Sequence, residues 1–159
     1  DPIRFMMLNR SNDVELDFDF DKVKEKTKDN PVFYVQYAFA RINSLLRILK
    51  INLNTEIKLD DKNFELNENE EKIIRKIFEW PKVVESALKN FELHKIPFYL
   101  YELSTLFHAY WSKGNANKDY KFIVNEKIRR VEVLAVVNLV GIVIQNGMKI
   151  LGVSLPKKM

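Results

Sequence analysis

Cysteine is absent from the 159 residues, which removes disulfide scaffolds, thiolate zinc sites and cysteine nucleophiles together and fits a reducing cytoplasm. Only 4 Gly and 5 Pro occur, too few for the many tight turns of an all-β fold or for glycine-rich phosphate loops. The two histidines, His94 and His108, lack HExxH spacing, a nearby nucleophile elbow or paired carboxylates, and their expected roles are structural or superficial. No catalytic apparatus is visible in the chain. It also opens Asp1-Pro2 without an initiator Met or a signal segment, and so reads as a piece of a longer protein. What is present is 47% hydrophobic and 30% charged residue in 18.9 kDa, enough apolar surface for one domain with a substantial core. Long helices are the expected building blocks.

The net charge of +4 is unevenly spread. Residues 1–30 and 51–92 are net acidic, at −2 and −3, while 31–50 and 93–159 are net basic, at +3 and +6. A positive surface of this kind suits an anionic partner, nucleic acid before membrane.

Along the chain, Ile3 to Leu8 has the apolar character of a helix end. Asp13 to Asp21 alternates strictly, with Val14, Leu16, Phe18 and Phe20 on one side, and predicts a short extended connector with an acidic face. Its carboxylates do not make a calcium loop: counted from Asp17, Lys22 and Lys28 stand where such a loop needs Gly and Glu. Asn30-Pro31 predicts a helix start, and Val35, Ala38, Ile42, Leu45, Leu46 and Leu49 form a core stripe up to about Lys50. Tyr34, Tyr37, Arg41 and Ser44 share another face. Ile51 to Leu66 reads as a loop. Asn67 and Glu70 form a capping-box pattern that opens a helix to Trp80, where Pro81 starts a further helix to about Asn90. Pro97 opens the next, with Leu100, Leu103, Leu106 and Phe107 inward and its end at Tyr110-Trp111, followed by a surface loop from Ser112 to Asp119. The last helix is expected from Tyr120 to Asn146, with Gly147 and Gly152 in left-handed terminating positions. Its Val131–Ile144 stretch is apolar on nearly every face but interrupted by Glu132, Asn138 and Gly141, so it suits the buried centre of a bundle rather than a membrane span. The expected fold is therefore all-α: about five principal helices around a buried C-terminal helix, preceded by the extended connector.

The chemistry on offer is aromatic rings beside positive charge. Tyr37 and Arg41 are four residues apart on one helix face, and Tyr110-Trp111 adjoin a stretch containing Lys113, Asn115, Asn117 and Lys118. Aromatic faces stack unpaired bases while Arg and Lys neutralise phosphate. Three readings compete: an RNA-binding module, a helical interaction domain with an incidental basic surface, and a free-standing enzyme, which would need a convergent pocket of acids and bases that the sequence does not offer. A groove uniting Tyr37, Arg41 and Tyr110 favours the first, and a broad exposed apolar patch the second.

The stretch from Asn30 to Ile42, NPVFYVQYAFARI, strongly resembles a signature of bacterial arginyl-tRNA synthetases. Asp1-Pro2-Ile3-Arg4-Phe5, Leu8 and Asp17-Phe18-Asp19 are similar to that family's junction after its catalytic domain. Asn146 to Met159 is similar to its terminal sequence. The resemblance covers essentially the whole chain, with Phe39 where family members commonly have His. It implies a division into residues 1–29, junction and connector, and 30–159, the helical anticodon-binding (DALR) domain. It implies, further, that the parent is an arginine–tRNA ligase of translation whose ATP and magnesium belong to an absent catalytic domain. The piece itself would then be inactive, free of cofactor and metal. The implied partner is the anticodon loop of arginine tRNA, with no DNA and no membrane, in a cytoplasmic monomer. Tyr37 and Arg41 match anticodon-loop contacts, Tyr110 a further one with Trp111 as its alternative, and Met159 the terminal residue close to the anticodon.

Overall fold

The computed structural model describes residues 1–11, 25, 27, 29–59 and 65–159. Among these residues the helices, in chain order, are α1 (Pro2–Leu8), α2 (Pro31–Ile48), α3 (Glu68–Phe78), α4 (Trp80–Lys89), α5 (Lys95–Ala116) and α6 (Val131–Leu151). A hairpin of β1 (Ile123–Val124) and β2 (Lys127–Ile128) lies between the last two. The expected acidic connector falls almost entirely on residues 12–24, outside the described residues.

The starts of α2 and α3 have local causes. Asn30 caps α2 in extended conformation and Pro31 occupies the first turn, yet the Asn30 side chain does not cap. Its Nδ2 instead donates to the Glu25 carbonyl at 2.7 Å. At α3 the capping box forms in full: Asn67 Oδ1 accepts from the backbone of Asn69 and Glu70, and Glu70 Oε2 accepts from Asn67 N at 2.8 Å. Three acidic residues in the first turn and two basic ones in the last also suit the helix dipole.

Helix α6 is the hub, packed by α1, α2, α3 and α5. Val136, Val137, Val140, Ile144 and Met148 are sealed in the core with Val35, Ile42 and Leu45 of α2 and Leu100, Leu103 and Phe107 of α5. By length and composition alone α6 is long and apolar enough to cross a membrane. Here its partners are the other helices. At Gly141 an added methyl would fall 2.6 Å from Leu53 Cδ1 and 3.2 Å from Ile42 Cγ2, so α2 and the loop after it lie close against α6.

Three boundaries differ from expectation. Helix α5 runs on to Ala116 instead of ending at Trp111, because Gly114 is a buried helical residue that lets the backbone of Tyr120 pack over the last turn, 3.0 Å from an added Cβ. The last helix begins at Val131 and not at Tyr120. Residues 118–120 form a 3-10 turn, and the hairpin turns at Asn125-Glu126 with φ of 50° and 60°. Glu at the second position gives a weaker hairpin signal than the Gly usual there. Gly147 does not end the helix. It sits inside α6 against Leu100, while Gly152, at φ 64°, supplies the left-handed cap.

Candidate nucleic-acid interface

Residues 37, 41, 44 and 48 recur on one side of α2, next to the stripe that faces the core. Arg41 is the centre of this surface. Its Nη2 donates to the Tyr37 hydroxyl at 3.0 Å, and its guanidinium carbon lies 4.2 Å from the Tyr37 ring centre and 5.4 Å from that of Trp111 on α5. Its Nη1 lies 2.9 Å from His108 Nδ1. A guanidinium only donates, so Nδ1 is the acceptor, and the ring proton is on Nε2, 3.1 Å from the Tyr34 carbonyl that receives it. His108 is thus a neutral imidazole with both nitrogens used, between the rings of Tyr34 at 4.3 Å and Tyr37 at 5.5 Å. Beside the cluster a cavity of about 320 Å³ opens between α2, α5 and β1, lined among others by Ser44, Ile48, Trp111, Asn115 and Lys121.

Burial pushes the His108 pKa down to about 4, and the Arg41 charge adds to the shift, while the Tyr34 carbonyl opposes it. The folded value lies below the unfolded one near 6.5, so the stabilisation is complete above about pH 6.5 and is lost as pH falls toward 4. At most about 3 kcal/mol is at stake. Unfolding in urea at pH 7 and pH 4.5 checks this: His108→Gln should lose distinctly less stability across that interval than the wild type. Equal losses would contradict it.

The expected site residues divide. Tyr37, Arg41 and Trp111 come together. Tyr110 does not join them: it is 2% exposed, its ring packs 4.6 Å from Phe122, and its hydroxyl donates to Glu70 Oε1 at 2.7 Å while accepting from Asn67 Nδ2 at 3.0 Å. One helical position, a rotation of about 100°, separates this core residue from its half-buried neighbour Trp111. Met159 is exposed at the end of a tail held beside α2, where Gln36 Nε2 donates to the Ser154 carbonyl at 3.0 Å, and the structure does not seat it in the cluster. Phe39 is buried, and Lys113 is turned to Asn69 at 2.7 Å. His108 is the member of the cluster that the sequence alone does not single out. Its one signal is the three-residue spacing to Trp111, which puts both on one face of α5. Large apolar side chains are exposed elsewhere, at Phe78, Leu88 and Phe91.

Fold and site define a class: an all-α domain that presents a guanidinium among aromatic rings on a helix surface. The chain belongs to the DALR anticodon binding domain family, whose model matches residues 35–159. It is 48% identical over its whole length to the arginine–tRNA ligase of Pelagibacter ubique and, over 166 aligned residues, 44% identical to that of Brucella ovis. It spans 28% of the length of each. In structure it is similar, over 99% of its length, to a protein assigned as an arginyl-tRNA synthetase from Campylobacter jejuni, at a TM-score of 0.82 and 25% identity, covering 33% of that chain. The arginyl-tRNA synthetase of Thermus thermophilus has the same fold, at a TM-score of 0.79 and 24% identity, with 99% of this chain and 26% of that one aligned.

Proposed function

We propose that this domain binds the anticodon loop of arginine tRNA as part of an arginine–tRNA ligase that acts as a cytoplasmic monomer. The observation that carries the reading is the Arg41 guanidinium, held by His108 and set between the Tyr37 and Trp111 rings beside an open cavity. Arginine codons all have G in the middle, so every arginine anticodon has C there. One ring, Tyr37 or Trp111, stacks a splayed anticodon base, and Arg41 supplies a charge-assisted contact to base or phosphate. The chain end at Met159 lies along the same RNA and contributes less.

ATP and magnesium, which such a ligase uses to activate arginine, do not fit this part of it. Among the described residues no three His, Asp or Glu side chains gather, and all four glycines lie in helices or at a helix cap. Chemistry belongs to the remainder of the ligase.

The test is tRNA affinity of folded variants. Trp111→Ala or Tyr37→Ala should cost about 1–3 kcal/mol where its ring stacks a base. Arg41→Ala should weaken binding and, if its contact is to phosphate, flatten the salt dependence by about 0.7 log unit per log unit of salt. Wild-type affinity in all three would contradict the assignment.

A further inference from the structure

On the side of α2 away from Trp111, the surface carries cations instead of rings. A cavity of about 590 Å³ is lined by, among others, Asn43, Arg47, Lys50, Gln145, Lys157 and Lys158. A second, of about 520 Å³, shares Phe39, Gln145 and Lys157 with it and adds Lys149. The two form one trough floored by buried Phe39, and no carboxylate lines either. All five cationic residues are exposed, and among the described residues none forms an ion pair. Some lysines elsewhere differ: Lys72, Lys76, Lys89 and Lys95 each reach a glutamate, while Lys82, Lys118 and Lys127, like those of the trough, form no ion pair among the described residues.

The backbone brings these charges together at a cost. Lys50 ends the α2 segment in the left-handed region, at φ 56°, where glycine or asparagine is the usual choice. The tail leaves α6 through the Gly152 cap, with Val153 N donating to the Met148 carbonyl at 3.0 Å. Val153 is buried and Leu155 packs against the core, so Lys157 and Lys158 are delivered beside α2.

We propose that this trough binds the sugar–phosphate backbone of the RNA whose bases are read at Tyr37, Arg41 and Trp111, an inference that rests on the proposed function. Arg41 and Arg47 are six residues apart on one helix, about 9 Å along its axis, which is two to three base-pair rises. The trough lies on the other side of a helix about 10–12 Å wide, so the phosphates that reach Arg47 and Lys50 belong to nucleotides several positions away from those at the rings. Cations without ion pairs, with amide donors between them, suit a run of phosphates better than an acidic peptide: phosphates are regularly spaced, and Gln145 and the second N–H of Asn43, whose Nδ2 also donates to the Phe39 carbonyl at 2.9 Å, can donate to their oxygens. The two faces of α2 then divide the labour, one reading bases and the other supplying affinity without sequence preference.

The probe is an RNA hairpin with the anticodon stem and loop of an arginine tRNA, beside the same hairpin with the middle C replaced. Its dissociation constant is measured between 50 and 300 mM KCl for the wild type and for a chain carrying Arg47→Ala, Lys50→Gly, Lys157→Ala and Lys158→Ala. The expected result is an affinity at least about tenfold lower for both hairpins, an unchanged ratio between them, and a log–log salt slope shallower by about 0.7–0.9 for each phosphate no longer neutralised. Lys50→Gly alone should raise the melting temperature, by relieving the left-handed strain, while weakening RNA binding. A purely structural lysine would not give these opposite signs. An unchanged salt slope would overturn the proposal, as would a variant that loses binding only to a polyglutamate peptide. If the wild type binds both hairpins equally, the anticodon reading fails, and the salt slope still decides the trough.

Discussion

A chain carrying Val140→Asp is expected to show no cooperative unfolding transition. Val140 is fully buried in α6, the helix on which α1, α2, α3 and α5 all pack. The substitution forfeits about 1.5–3 kcal/mol of apolar burial. It also buries an unpaired carboxylate, at a further cost of about 3–5 kcal/mol by comparison with broken buried ion pairs. Together these approach the whole stability of a domain, about 5–15 kcal/mol. Val131→Asp is the control. Val131 opens the same helix at 36% exposure, where a carboxylate meets the favourable end of the dipole, and the cost should be within about 0.5 kcal/mol of zero. Urea titrations followed by circular dichroism check the pair, and a sigmoidal transition near the wild-type midpoint for Val140→Asp would refute α6 as the hub.

Glu70→Ala is expected to cost about 3–5 kcal/mol without touching the proposed RNA surface. Glu70 is fully buried, yet both carboxylate oxygens are used: Oε1 accepts from Tyr110 at 2.7 Å, and Oε2 accepts from Asn67 N at 2.8 Å and lies 3.4 Å from Arg130 Nη1. Removing it strands a hydroxyl, a helix-start amide and part of a guanidinium in one step. Tyr110→Phe removes only one of these partners and should cost about 1 kcal/mol. In a double-mutant cycle the two should be clearly non-additive, since Glu70→Ala already deletes what Tyr110 loses. Chemical denaturation of the four proteins measures this, and strict additivity would show that the Tyr110–Glu70 bond contributes nothing.

The long elements were legible in the sequence because their signals are local and repeated. The capping box at Asn67-Glu70, Pro31 after Asn30 and the apolar run of α6 each specify an element without help from distant residues. The failures cluster at 112–130 and at Gly147, where a glycine or an Asn-rich stretch has two meanings. Gly114 and Gly147 look like helix ends, but they are gaps that admit Tyr120 and Leu100, and only the partner element reveals that. The site divides for the same reason. Tyr37 and Arg41 lie four residues apart, so their contact follows from helix geometry. Whether Tyr110 or Trp111 faces them depends on the rotation of α5 against α2, which no local pattern encodes. The Arg41–His108 contact spans 67 positions and was invisible until the two helices were placed.

On the proposed function, the surface around Arg41 reads the anticodon of arginine tRNA. The most direct test of this reading is the affinity of the unmodified chain for two otherwise identical anticodon hairpins, one with the native middle C and one with that base changed. The native hairpin should bind at least about tenfold more tightly, the worth of one base edge read by hydrogen bonds; Arg41→Ala should narrow that gap, while Trp111→Ala or Tyr37→Ala should weaken binding of both hairpins, with the chain still folded. Equal affinity for the two hairpins in the wild type would contradict the account.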